Sequence, residues 1–451
     1  MKTLETLLEG LAEIPVLDAH SHLLDGNLGA RGLHDILLHH VVVSDLYAAG
    51  CPSGNRITQY PGWPRREEIR SRIKGAIPYL DRIRNTSSMW ALKTILSDLY
   101  RWKDPITLEN WQNLDQAISE HARDRAFHRS ILDRINVKRT CTDYARRFDR
   151  FDDRLLQYSL AWGMFARTQW AEFDTALYDL ERTWGKQPEG ANPLGSARQP
   201  TTRHVVTVAD VRDAIRYYVS VIPFEEIIST QMVLSTDIDY RVPTYEEMDR
   251  ALENRSTAGP REQSTYAAYV LEHLLNEIER AEHPIVIQFI VGAEPLPFET
   301  ASRVSQRTIG QLAEIVGRHP KLRFQVFLGS KHANQSLCTM CRELPNLSLA
   351  GFWRHNFFPQ SIRHVLSERL DMVPVNKQIA FASDAYVVEW SYASMMMLRQ
   401  QMARVFSEKI DQGQYTLDEA LSIARSILFE SPQGYGMVPR DEPELAAINQ
   451  G

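Results

Sequence analysis

Residues 14–22 read Ile14-Pro15-Val16-Leu17-Asp18-Ala19-His20-Ser21-His22, a short apolar run that ends in two histidines one residue apart. The run predicts a strand over 14–20, and side chains two apart on a strand share a face. Both imidazoles can then reach one cation from the strand's end, and neutral imidazole is the commonest metal ligand. In a chain with 14 histidines two can also fall in this pattern without a metal, so the pair needs structural context.

Further runs of the same kind supply part of that context: VKRTCTD (137–143), LAWGMFA (160–166), PIVIQFIVG (284–292), LRFQVFLG (322–329), LSLAGF (347–352) and QIAFASD (378–384). Stretches of helical period separate them, the pattern of a parallel sheet with crossover helices. Most of the runs end in polar or small residues. In a (β/α)₈ barrel the loops after the strand C-termini form the active face. Asp384 ends the last run, where eight-stranded closure would bring it beside the first strand. There it can ligate a metal and accept a proton from bound water or a substrate hydroxyl. It can equally cap the helix that DAYVVEWSYASMM predicts, a common role for Asp.

Working outward, the 451 residues allow one barrel with insertions. A Trp-, Arg- and Leu-rich stretch over 60–133 predicts several helices packed on the barrel as an insertion, for it has no Gly/Ser-rich or low-complexity tract. Residues 185–203 (GKQPEGANPLGSARQPTTR) predict a long surface loop, and 254–263 a second such connection. The composition, 43% hydrophobic and 24% charged, is that of a globular chain. A net charge of -6 gives no general attraction to nucleic acid or anionic lipid, although a local basic pocket can still take an acidic small molecule. No apolar run nears the roughly 20 residues of a membrane span, and the N-terminus reads as an amphipathic helix rather than a signal peptide, so the expected location is the cytoplasm. Four cysteines are too few for a disulfide framework. Cys338 and Cys341 form one CxxC with no second pair to complete a zinc site, and read as ordinary helix residues.

DAHSH, FARTQW, GFWRHNFFPQSIRHVLSERLDMVP and FASDAYVVEW, in this order, resemble the uronate isomerase branch of the amidohydrolase superfamily. The resemblance implies a distorted (β/α)₈ TIM barrel with an extra helical region, one divalent metal ion, and conversion between aldose and ketose forms of hexuronic acids. By that resemblance His20, His22 and Asp384 are the metal ligands, Arg167 meets the substrate and Trp353 follows the seventh strand. His and carboxylate ligands accept zinc, manganese, iron or cobalt, with zinc the first expectation and manganese the second. Three positions depart from the family: Ile290 stands where a QLHxGA-like strand carries histidine, Ala385-Tyr386 replaces the end of an Asp-x-Arg motif, and His40-Val41 aligns loosely with a motif containing tyrosine.

Other residues are candidates to compensate. Gln288 can turn into the site, with Tyr386 a further substrate contact. His332 and Lys331 follow a strand end on the expected active face, as a third ligand or general acid and as a carboxylate partner, though His332 can also be a surface histidine at a helix start. Arg354 and His355 lie on the next such loop and, being adjacent, diverge in direction. His39 and His40 read as structural, lacking a clear strand end. Arg146 and Arg147 read as partners of the acidic stretch that follows them. These residues point first to proton transfer on a carboxylated sugar or related acid, with Arg167 clamping the carboxylate. Metal-dependent hydrolysis, a lyase or dehydratase reaction, and a barrel that binds without catalysis are the alternatives. A homo-oligomer is compatible with all of them.

Overall fold

The computed structural model describes residues 2–24, 26–52, 66–146, 155–166, 173–184, 203–236, 238–292, 304–352 and 358–437. Eight strands run parallel in one sheet in sequence order: β1 (Val16–Asp18), β2 (Val137–Asp143), β3 (Leu156–Ala161), β4 (Ser229–Leu234), β5 (Val286–Val291), β6 (Arg323–Leu328), β7 (Leu347–Ala350) and β8 (Gln378–Ile379). The two outer strands meet beyond their ladders. Ala19 N–H donates to Phe381 O at 3.0 Å, Asp384 N–H to His20 O at 3.0 Å and His22 N–H to Ala385 O at 2.8 Å. These bonds draw the sheet round into the expected (β/α)₈ barrel.

Both faces of the sheet are covered, which is why its strands read as nearly continuous apolar runs. On β5, Ile287, Phe289 and Val291 pack into the layer between sheet and helices, while Ile290 joins a separate cluster inside the barrel. The interior is built in rows of paired residues. Gln231, Gln288, Gln325 and Ser348 form one row across β4 to β7, and Val233, Ile290, Phe327, Ala350 and Ile379 form the next, nearer the strand C-termini. With Ala19, Cys141, Ala382 and Met437 the second row makes an apolar cluster that fills the barrel.

Several strands depart from expectation. β3 takes only Leu160 and Ala161 of the LAWGMFA run, which turns at Gly163 into the 3-10 turn Met164–Ala166. β4 was hidden in the sequence because Ser229, Thr230 and Gln231 interrupt its apolar character, although all six of its residues are buried. β8 is shorter than expected, since the Ala380 amide turns away to Ile427 O at 2.8 Å. The connection expected over 254–263 is partly helical: Arg255–Thr257 is a 3-10 turn and the helix Pro260–Ala281 already starts within it. Proline suits that first position because its missing N–H would be unpaired there anyway. Residues 185–202 of the expected loop lie outside the described residues. Among the described residues no helix is long and apolar enough to cross a membrane.

The expected helices between 60 and 133 include Arg66–Ala76, Ser87–Tyr100, Trp111–Ser119 and Arg125–Arg134. Of these, Ser87–Tyr100 and Arg125–Arg134 pack on the long helix Val388–Asp411 that follows the Asp384 loop. Its fully buried Glu389 accepts Tyr100 Oη–H at 2.6 Å and the Ala30 amide at 3.0 Å. Burial pushes this carboxyl from its ordinary 4.5 up to about 6, although those bonds pull it down. A carboxyl whose pKa is higher in the folded than in the unfolded chain contributes fully below the unfolded value, and its contribution is lost as pH rises through the folded value. Glu389→Gln should therefore gain up to about 2 kcal/mol relative to wild type between pH 4.5 and pH 7. Thermal denaturation of both proteins across that range measures the gain, and a difference that does not change with pH would contradict it.

Candidate metal centre

The histidine pair does not lie on a strand. β1 ends at Asp18, and the following residues are held in an extended path between β2 and the chain after β8. Ser21 N–H donates to Cys141 O at 2.7 Å and the Ser21 hydroxyl to the same oxygen at 2.9 Å. The His22 amide is taken by Ala385 O on the other side. Asp18, 2% exposed, ties this path to both neighbours: it accepts the Ser383 amide at 2.8 Å and the Thr140 hydroxyl at 3.2 Å. Burial pushes the Asp18 carboxyl up to about 6 against the pull of these donors.

Across the seam, Asp384 adopts the left-handed region with φ 55, a conformation that Asp and Asn tolerate better than most side chains. It does not cap the next helix, whose N-cap is Val387. Its Oδ1 lies 3.6 Å from His20 Nε2 and 3.3 Å from His22 Nε2. One ligand atom from each of His20, His22 and Asp384 falls within 4.8 Å of the others, close enough for all three to hold one metal ion.

The donor set fits a divalent cation of the zinc or manganese type, with two imidazole nitrogens and a carboxylate. His20 Nε2 is buried and makes no hydrogen bond among the described residues, the state expected of a nitrogen reserved for a metal, because a buried polar atom without a partner is otherwise costly. Burial opposes ionisation of Asp384, but His20, His22 and the nearby His40 outweigh it and hold its carboxyl well below the ordinary value. The His20 ring rests beside Phe327 of the apolar row, centroids 5.4 Å apart.

Two groups join the site that the sequence reading did not place there. His40 was expected to be structural, yet its Nε2 lies 3.4 Å from Asp384 Oδ2. The carboxylate thus faces the histidine pair with one oxygen and His40 with the other. Asp143, the last residue of β2, sits with Oδ2 2.7 Å from His22 Nδ1, and its Oδ1 accepts the Gln231 side-chain amide of β4. The signal for Asp143 was present in the rule that polar residues at strand ends face the mouth, and Arg146 and Arg147 drew attention from it. His39 is structural as expected: it is fully buried and stacked on Trp390 at 4.2 Å, and burial drives its pKa well below the ordinary value.

The remaining candidates divide. Tyr386 lies at the centre, its ring stacked on His22 at 4.7 Å. Gln288 is in the barrel interior, but its amide is spent on Ala19 O at 3.2 Å and Gln325 Oε1 at 2.8 Å, so it braces the barrel beneath the site. His332 and Lys331 fall on the 3-10 turn Lys331–Ala333, with His332 exposed and outside the metal-holding group. Cys338 and Cys341 are buried free thiols on the helix Asn334–Glu343. Arg167, Trp353, Arg354 and His355 lie outside the described residues.

No family model matches the chain, and no curated protein sequence does. Solved structures do match. The uronate isomerase of Thermotoga maritima superposes with a TM-score of 0.75 at 12% identity, over 96% of this chain and 97% of its own. The glucuronate isomerase of Caulobacter crescentus gives 0.75 at 14% identity, over 98% and 95%. The uronate isomerase of Bacillus halodurans gives 0.70 at 15% identity, over 99% and 98%. Likeness at this level of identity establishes a shared fold across nearly the whole chain.

A ligand that binds only the folded chain stabilises it by about 2.7 kcal/mol at a hundredfold excess over its Kd. Zinc or manganese should therefore raise the melting temperature of the metal-stripped protein, and His20→Ala should remove the rise. An equal rise in the variant would show that the cation binds elsewhere.

Proposed function

We propose that this protein is a metal-dependent isomerase that interconverts aldose and ketose forms of a carboxylated sugar or related acid. The observation that carries the reading is the division of Asp384, with Oδ1 turned to His20 and His22 and Oδ2 to His40, in a chain folded like three isomerases of uronates. His20, His22 and Asp384 would hold the cation. When bound, it would act as a Lewis acid toward a substrate carbonyl and the hydroxyl beside it.

The chain's own groups account for the proton movements. Isomerisation takes a proton from the carbon bearing the hydroxyl and returns one to the neighbouring carbonyl carbon, while the hydroxyl proton passes to the other oxygen. Asp384 Oδ2 is a proton acceptor 3.4 Å from His40 Nε2, and the two together would pass the proton between the carbons. Tyr386, stacked on His22, adds a phenol and a flat wall to the same rim. Arg167 would clamp the substrate carboxylate with paired donors, and Trp353 with one of Arg354 and His355 would face the substrate after β7. Lys331 and His332 would stand farther out, with His332 available as an outer acid. The helices over 60–133 are read as an insertion that supports this rim, in a single barrel domain. A carboxylated substrate fits a local basic rim on a chain of net charge -6.

Ile290 marks where the chemistry departs from the family pattern. It belongs to the apolar row under the centre and is 7% exposed, so it leaves an apolar floor where a histidine would have offered a proton. On this reading the acid–base work falls to Asp384 and His40.

The test is to add a panel of hexuronates to the metal-loaded protein in deuterated water and follow ketose formation by proton NMR. Turnover that disappears in His20→Ala is expected. A protein inert toward every uronate would reject the reading, and incorporation of solvent ¹⁸O into product from another substrate would make it a hydrolase. With an active substrate, His40→Ala should lower kcat by roughly 10²- to 10⁴-fold, the usual share of a general acid or base. An unchanged kcat would remove His40 from the proton path.

A further inference from the structure

We propose that Asp143 and Gln231 are positioning residues that fix the tautomer and ring orientation of His22, an inference that rests on the metal reading of the site. Asp143 stands at the C-terminal end of β2 and Gln231 in the middle of β4, with β3 between them. Both side chains point into the barrel. Asp143 Oδ2 is 2.7 Å from His22 Nδ1, and its Oδ1 accepts the Gln231 Nε2–H.

A carboxylate oxygen has only lone pairs to offer, so the 2.7 Å contact is made through an Nδ1–H. Nε2, the nitrogen that faces Asp384 and His20, is thereby the one left to meet a cation. The Gln231 amide reinforces this arrangement. Gln231 is 5% exposed, and its Oε1 is buried without a hydrogen bond among the described residues. Turning the amide over would set two acceptors face to face, so the observed orientation is the one the carboxylate permits. A bare amide oxygen is the cost of giving Asp143 its donor. Outer groups of this kind orient metal-bound histidines generally, and their loss typically weakens metal affinity about 10- to 100-fold. Here the outer group is itself held by a third side chain two strands away, so β2 and β4 together set the direction of one nitrogen.

Zinc affinity, read by competition with a chromophoric chelator on the full chain without substrate, separates the possibilities. Asp143→Ala should bind zinc about 10- to 100-fold more weakly than wild type. Asp143→Asn keeps the shape and an acceptor oxygen, and should stay within a few-fold of wild type. Gln231→Leu should lose a few-fold, and it carries the test should Asp143→Ala fail to fold by circular dichroism. Unchanged affinity in Asp143→Ala, or in Gln231→Leu where it stands in, would overturn the positioning role provided His20→Ala loses zinc. An Asn variant as weak as His20→Ala would also overturn it, by making Asp143 a ligand. Zinc binding that His20→Ala leaves intact would overturn the metal reading, and this inference with it.

Discussion

The candidate metal centre depends on the seam where the first strand meets the last. β1 and β8 are only three and two residues long, too short to zip together as a ladder. The closure is instead carried by single hydrogen bonds that alternate across the gap from Ala19, Asp384 and His22, and by the Asp18 carboxylate reaching the Ser383 amide. The same few residues that close the barrel carry the three side chains that could hold a metal ion. Placing His20 and His22 against Asp384 is therefore a consequence of closure, and Asp18 is buried to secure it.

Much of the architecture was legible because parallel strands covered on both faces leave apolar runs in the sequence. The runs at 137–143, 284–292, 322–329 and 347–352 became β2, β5, β6 and β7 on that basis. β4 escaped because its residues Ser229, Thr230 and Gln231 are polar although buried, which periodicity cannot distinguish from a loop. The ligands were legible as residue types, but the reason first given for their convergence was different: the pair lies past the strand, oriented by bonds to Cys141 and Ala385 rather than by strand alternation. His40 and Asp143 were not assigned to the site from the sequence, since each gains its role only through a contact across more than a hundred residues, to His22 or to Asp384. Nothing in local spacing reports such a pairing.

Polar and apolar groups divide the barrel interior by height. The glutamines Gln231, Gln288 and Gln325 occupy one row, and Gln288 donates both to Gln325 and to the main chain of Ala19. The apolar row above separates most of that network from the imidazoles. Gln231 is the exception, because it reaches Asp143 and so links the glutamine row to the centre. A dry floor of this sort strengthens the electrostatic contacts above it, since less water screens them.

The apolar cluster from Ala19 to Met437 also has a consequence for traffic. Its buried side chains pack the interior below the centre, so the strand C-terminal end is the side of a barrel from which a small molecule would reach the site. Substrate and product then share one doorway and cannot occupy it together. For a reaction whose two partners are isomers of equal size and charge, direction is set by the ratio of their concentrations outside that doorway against the equilibrium constant, and each competes with the other for entry.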